Sequence, residues 1–68
     1  MHATLIGEMA IRRISINDIA DLLGIHRNSV RNKLYGFSDF SVSQAIEIFN
    51  RFFADCNFLI LFSKETVQ

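Results

Sequence analysis

Between Ser15 and Gly36 the chain carries two short helical segments with their stops already in place, and this stretch limits the fold more than any other. Ser15 is an N-cap by type, because its hydroxyl accepts a hydrogen bond from a first-turn amide. Asp18 stands three residues on, where its carboxylate reaches back in a capping-box-like arrangement. Ile16, Ile19, Ala20, Leu22 and Leu23 then fall on or near one inner face. Gly24 ends that helix, since glycine enters the left-handed conformation without a steric cost. After Ile25 the chain turns polar from His26 to Tyr35, with Val30 and Leu34 the plainly apolar positions before Gly36. Four residues apart, they make a narrow buried stripe on a short helix. Its wide polar face meets either solvent or a polar partner.

The flanks read as further helices. Leu5, Ile6, Met9 and Ala10 recur at helical spacing and predict a first helix over about residues 3–12. Phe37-Ser38-Asp39-Phe40 predicts a turn with both Phe tucked beneath it. Ser41 with Gln44 forms a second capping box and opens a helix over about residues 42–53, its apolar stripe being Ala45, Ile46, Phe49, Phe52 and Phe53. Ala54-Asp55-Cys56-Asn57 breaks the periodicity. The run Phe58 to Phe62 is too short for periodicity to separate helix from strand, and a helix capped by Asn57 is favoured. No repeat, low-complexity tract or linker divides residues 1–68, so one all-α domain of four to five packed helices is expected.

Composition removes whole classes of function. The chain has 68 residues, half of them apolar, with no Pro and a formal net charge of zero, which excludes a disordered tail, a collagen-like chain and a generic polycation. One Cys forms no internal disulfide and points to a reducing cytosol. The longest apolar run, Phe58 to Phe62, is far short of the roughly 20 residues of a membrane-spanning helix. The first residues, Met1-His2-Ala3-Thr4, lack the basic flank and apolar stretch of a signal peptide, so a cytoplasmic protein without membrane contact is expected. A domain near this size buries only about 60% of its unfolded surface, leaving little room for a deep substrate cavity and making dimerisation a sensible supplement. Nucleophile-elbow glycines, clustered His and a phosphate-cradling loop are missing from the sequence, so neither catalysis nor a cofactor or small-molecule ligand is expected.

Zero net charge conceals an uneven layout. Arg12, Arg13, Arg27, Arg31 and Lys33 face two anions, Asp18 and Asp21, for a local charge of +3 between residues 12 and 33. From Leu34 onward, Arg51 and Lys64 stand against Asp39, Glu47, Asp55 and Glu65, a local −2. A basic stripe on a neutral chain is compatible with a solvated face, and equally with a specific nucleic-acid binder, where only the contacting face must be positive. The spacing favours the second. Ala20 is small where two helices cross closely, Gly24 makes the sharp turn four residues later, Ile25 plugs the corner and Val30 anchors the second helix against the first. That is helix-turn-helix geometry, which leaves the second helix free to project its polar face.

At these residues the chain resembles the lambda Cro and repressor family of helix-turn-helix regulators, the XRE-like group. Small phage and prophage regulators are especially similar, through Arg31-Asn32-Lys33-Leu34-Tyr35-Gly36 and the Phe-rich close at Phe52-Phe53 and Leu61-Phe62. The resemblance covers about residues 4–62. It implies a bundle of four or five helices, with the helix-turn-helix over about residues 16–35, that binds a pseudo-palindromic operator as a homodimer, usually to repress transcription. In that geometry the recognition helix lays its N-terminal residues against base edges in the major groove. Arg27 and Asn28 come first, and form bidentate pairs with guanine and adenine respectively. Asn32 follows on roughly the same face as a third base reader, and Arg31 reaches a base or a phosphate. Asn17, Ser29, Lys33, Arg12 and Arg13 are expected phosphate contacts, which position without specifying.

The chain departs from the family pattern at three places. Ile16 stands where many members carry a phosphate-gripping Gln, His26 replaces the usual small N-cap, and Lys33 takes a common apolar anchor position, with Leu34 following it. His26 is either an exposed turn residue or a phosphate contact sensitive to pH. His2, His26 and Cys56 have no close ligand spacing, so no metal site is expected; Cys56 reads as a small, semi-buried core residue. Phe49, Phe52 and Phe53 read as core rather than as a stacking platform for bases. A short terminal run cannot bury five apolar side chains, and Phe58, Leu59 and Phe62 are expected at a contact between two copies. The competing reading is a protein-interaction module on the same fold, antitoxin-like or anti-repressor, which the acidic second half favours.

Overall fold

A computed structural model describes residues 1–63 of the chain. Five helices follow in order, α1 (Ala3–Arg12), α2 (Ile16–Leu23), α3 (Arg27–Tyr35), α4 (Val42–Phe52) and α5 (Phe58–Leu61), and no strand occurs among the described residues. The domain is therefore a small all-α bundle. None of these helices is long and apolar enough to cross a membrane.

The helix limits follow from local chemistry. Ser15 Oγ accepts from the Asp18 amide at 3.1 Å while Asp18 Oδ2 accepts from the Ser15 amide at 2.8 Å, a complete capping box. Ser41 and Gln44 do the same for α4, at 3.1 and 3.0 Å. Asn57 Oδ1 accepts from the Ile60 amide at 3.1 Å and starts α5, so the Phe58 run is helical. Arg13 closes α1 in the left-handed conformation (φ 57°), with its amide on the Ala10 carbonyl and the Ile14 amide on that of Met9. This is the two-bond Schellman stop.

Every helix contributes to one core. Leu5 and Met9 from α1, Ile19 and Ala20 from α2, Val30 and Leu34 from α3, Ile48 from α4, Leu61 from α5 and Phe53 at the end of α4 form a continuous buried cluster. The chain start is sewn onto the far end of α3, where the His2 amide donates to the Leu34 carbonyl at 2.8 Å. His2 itself is buried, its ring against Phe40 and Phe62 at centroid distances of 5.5 and 6.3 Å.

Two packing expectations are corrected. Ile48, not Ile46, is the buried isoleucine of α4, while Ile46 stays 45% exposed. Ala45, Ile48, Phe49 and Phe52 make the inward stripe at i, i+3, i+4 and i+7, and Ile46 lies about 100° round the helix from Ala45. Only one Phe of the α3–α4 turn packs beneath it. Phe40 joins the rim of the core, but Phe37 is 83% exposed, because the left-handed Gly36 ends α3 and carries the next residue outward.

The two turn glycines predict different mutational costs. A Cβ at Gly24 (φ +68°) meets no atom within 4 Å, so Gly24→Ala should cost only the left-handed strain it introduces, about 1–2 kcal/mol. At Gly36 (φ +90°) the added carbon also lies 3.0 Å from the Met1 backbone nitrogen. Gly36→Ala should therefore lower the midpoint of a urea melt further than Gly24→Ala, and equal midpoints would refute the packing contribution.

Candidate nucleic-acid interface

The turn of Gly24 and Ile25 folds α3 back against α2. The Ile25 amide donates to the Ala20 carbonyl at 3.1 Å, which fixes the corner, and Val30 is buried completely against the same core. Anchored by Val30 and Leu34, α3 leaves Arg27, Asn28, Arg31, Asn32 and Tyr35 exposed. All four residues expected to read bases therefore share the exposed side of this helix.

The starts of α2 and α3 come together at a surface groove of about 410 Å³ lined by Ser15, Ile16, Asn17, Arg27, Asn28 and Arg31. Two guanidinium-bearing residues, two amide side chains and two helix N-termini thus converge on one concavity. Helix N-termini present amide dipoles that favour anions, and Arg adds full charge and a planar fork of donors. Asn17 belongs here despite lying ten residues before Arg27 in sequence. Ser15 and Ile16 also line the groove, and for Ser15 its reading as an N-cap did not announce that role. Ile16 supplies an apolar wall of the groove.

His26 is a working N-cap. Its Nδ1 accepts from the Asn28 amide at 3.1 Å, which requires the neutral ring and leaves the proton on Nε2. The imidazole thereby performs the task of a smaller capping residue and fixes the start of α3, where Arg27 and Asn28 sit. Ser29, beside them, is half-buried.

The remaining expected phosphate contacts are used differently. Lys33 is half-buried and its Nζ donates to the Asp39 carbonyl at 2.8 Å, so it latches the α3–α4 turn to the helix. Arg13 is exposed at the α1–α2 turn. Arg12 is occupied within the fold. Its Nη1 and Nη2 reach the two oxygens of Asp55 at 2.7 and 2.8 Å, and Nη1 also donates to the Phe52 carbonyl at 3.1 Å. Nε meets Glu8 at 3.2 Å, Nη2 meets Cys56 Sγ at 3.1 Å, and the guanidinium lies 5.3 Å from the Phe53 ring centroid. Arg12 therefore joins the end of α1 to the α4–α5 corner and does not line the groove. The Arg12 hydrogen bond holds the Asp55 carboxyl below the usual range, and the same bond raises Arg12 further. Desolvation pushes the half-buried Cys56 thiol up, against the pull of Arg12.

Of the residues expected at a contact between copies, Phe58 and Phe62 are half-buried in an aromatic cluster. Phe58 packs on Phe49 and Phe62 at 5.4 and 5.0 Å, and Phe62 packs on Phe40 at 6.1 Å. Leu59 faces outward at 79% exposure, and its neighbour Ile60 at 61%. The available apolar surface of α5 is thus Leu59 and Ile60.

Among the described residues no group of three or more His, Cys, Asp or Glu is placed to hold a metal ion. Comparison with family models, with curated proteins and with solved structures returns no match.

Proposed function

We propose that this protein is a sequence-specific double-stranded DNA-binding regulator of the lambda Cro/repressor (XRE-like) type, of phage or prophage character. The observation that carries the reading is the groove where the starts of α2 and α3 bring Asn17, Arg27, Asn28 and Arg31 together, beside an exposed polar face on α3. Arg27, Asn28 and Asn32 read base edges, with Arg31 on a base or a phosphate. Asn17, Ser29 and Arg13 contact phosphates, together with the Nε2–H of His26. Lys33 and Arg12 act in the fold, and Lys33 supports the interface by holding the turn after α3.

Two copies joined through α5 address half-sites about 34 Å apart, roughly one helical turn of DNA. Binding at such an operator represses by occupying it. Leu59 is the sharpest test of this assembly, because a charge there meets solvent in the monomer and a desolvated face in the dimer. Leu59→Asp is expected to halve the mass measured by sedimentation while leaving the circular dichroism spectrum intact. An unchanged mass removes the α5 dimer.

Selection of bound duplexes from a random pool tests the reading itself, run beside an Arg27→Ala, Asn32→Ala variant. A two-half-site motif that disappears in the variant is the expected result. No enrichment at low salt turns the assignment to a protein-interaction module, with Leu59 and Ile60 as the surface to follow.

A further inference from the structure

The stripe that α3 exposes does not stop at Asn32. At about 100° per residue, Arg31, Tyr35, Asn28 and Asn32 fall within an arc of about 100°, and Tyr35 lies inside it, between Arg31 and Asn28. Tyr35 is 46% exposed, whereas Leu34 and Val30, about 100° and 140° round the helix from it, are buried. The aromatic ring is thus not held on this face by the core. Phe37 is more exposed, but it lies past the left-handed turn of Gly36 and outside the helical stripe.

Resting on the DNA reading above, we propose that Tyr35 is a further contact in that interface, its phenolic hydroxyl donating to a phosphate on a strand that bounds the major groove. Seven residues separate Tyr35 from Asn28, about 10 Å along the helix, and the major groove is about 12 Å wide. With Asn28 against base edges, the next turns of α3 approach the flanking sugar–phosphate strand. A phenol suits that position. Its ring covers the apolar sugar edge, and its hydroxyl is among the side-chain donors that bind phosphate. The last turn is also well braced for such a contact. The Asn32 carbonyl accepts the amides of Gly36, Phe37 and Ser38, and Lys33 ties the following turn to the helix.

This assignment makes a prediction that the arginines do not share. A neutral donor releases no counterion, so its loss weakens binding without changing the salt slope, whereas each phosphate-neutralising cation contributes about 0.9 to that slope. Tyr35→Phe is expected to bind a selected duplex about tenfold more weakly, the loss of one hydrogen bond to a charged group. The slope of log affinity against log salt and the melting temperature stay at the parent values, and the penalty is the same on every duplex tested. Tyr35→Ala, which also removes the ring, should bind more weakly still. If the parent binds and Tyr35→Phe binds equally well, the contact is refuted while the DNA reading stands. If the parent binds no duplex at low salt, the DNA reading falls and the contact falls with it.

Discussion

Phe53→Ala is expected to remove a large part of the stability of the fold. Phe53 is fully buried at the end of α4, with Phe52 at 6.3 Å between ring centroids and the Arg12 guanidinium over its ring. Truncating a buried Phe costs about 3–5 kcal/mol, through lost transfer energy and the cavity left behind. Small proteins are stable by only about 5–15 kcal/mol, and those of this size tend to the lower end. For a domain of 60–100 residues each kcal/mol moves the melting temperature by about 4–8 °C, so a fall of at least about 12 °C is expected. Phe37→Ala is the matched control, since that ring is 83% exposed and surface changes typically stay within about 0.5 kcal/mol. Thermal melts followed by circular dichroism check both. Equal shifts in the two variants would contradict the packing described for α4.

The second large effect concerns reading rather than folding. Arg27 is exposed at the first position of α3 and lines the groove, so Arg27→Ala removes a side chain without opening the core. A lost bidentate pair with guanine costs about 1–3 kcal/mol of discrimination at one base pair, roughly 5- to 150-fold. The expected outcome is a selected motif that becomes degenerate at one position in each half-site, with the melting temperature unchanged. Competition between the preferred duplex and single-base variants measures it directly. A uniform loss across all duplexes, with a salt slope reduced by about 0.9, would make Arg27 a phosphate contact instead.

Much of this architecture is legible from short-range chemistry. The capping boxes at Ser15 and Ser41, the stops at Gly24 and Gly36 and the cap at Asn57 each join neighbours within a few residues, and each forms as their residue types require. The groove residues are partly legible for the same reason. Arg27, Asn28 and Arg31 sit at the start of a short helix with a narrow buried stripe, so their exposure follows from Val30 and Leu34. Their meeting with Asn17 was less direct, because it depends on the angle at which α3 leaves the Gly24 corner.

Elsewhere the same periodicity admits two answers. Ile46 and Ile48 are equally apolar, and Ile46, Phe49 and Phe53 also follow helical spacing, so the pattern alone allows α4 to turn either face inward. Contact with the remaining helices selects Ile48. Arg12 is the clearest such case. Its charge and its place beside Arg13 suggest a phosphate clamp, yet Asp55, forty-three residues later, takes both arms of its guanidinium.

The sequence by itself determined the limits of α2 and α3, the start of α4 and which side of α3 stays polar, because caps, glycine stops and i, i+4 stripes are interactions between near neighbours. Only the tertiary structure decided which isoleucine of α4 is buried, that Phe37 stands in solvent, that Arg12 and Lys33 are engaged within the fold, and that Asn17 meets the start of α3. Those outcomes depend on contacts between distant segments, and such contacts are set by how the helices fit against one another around a shared core.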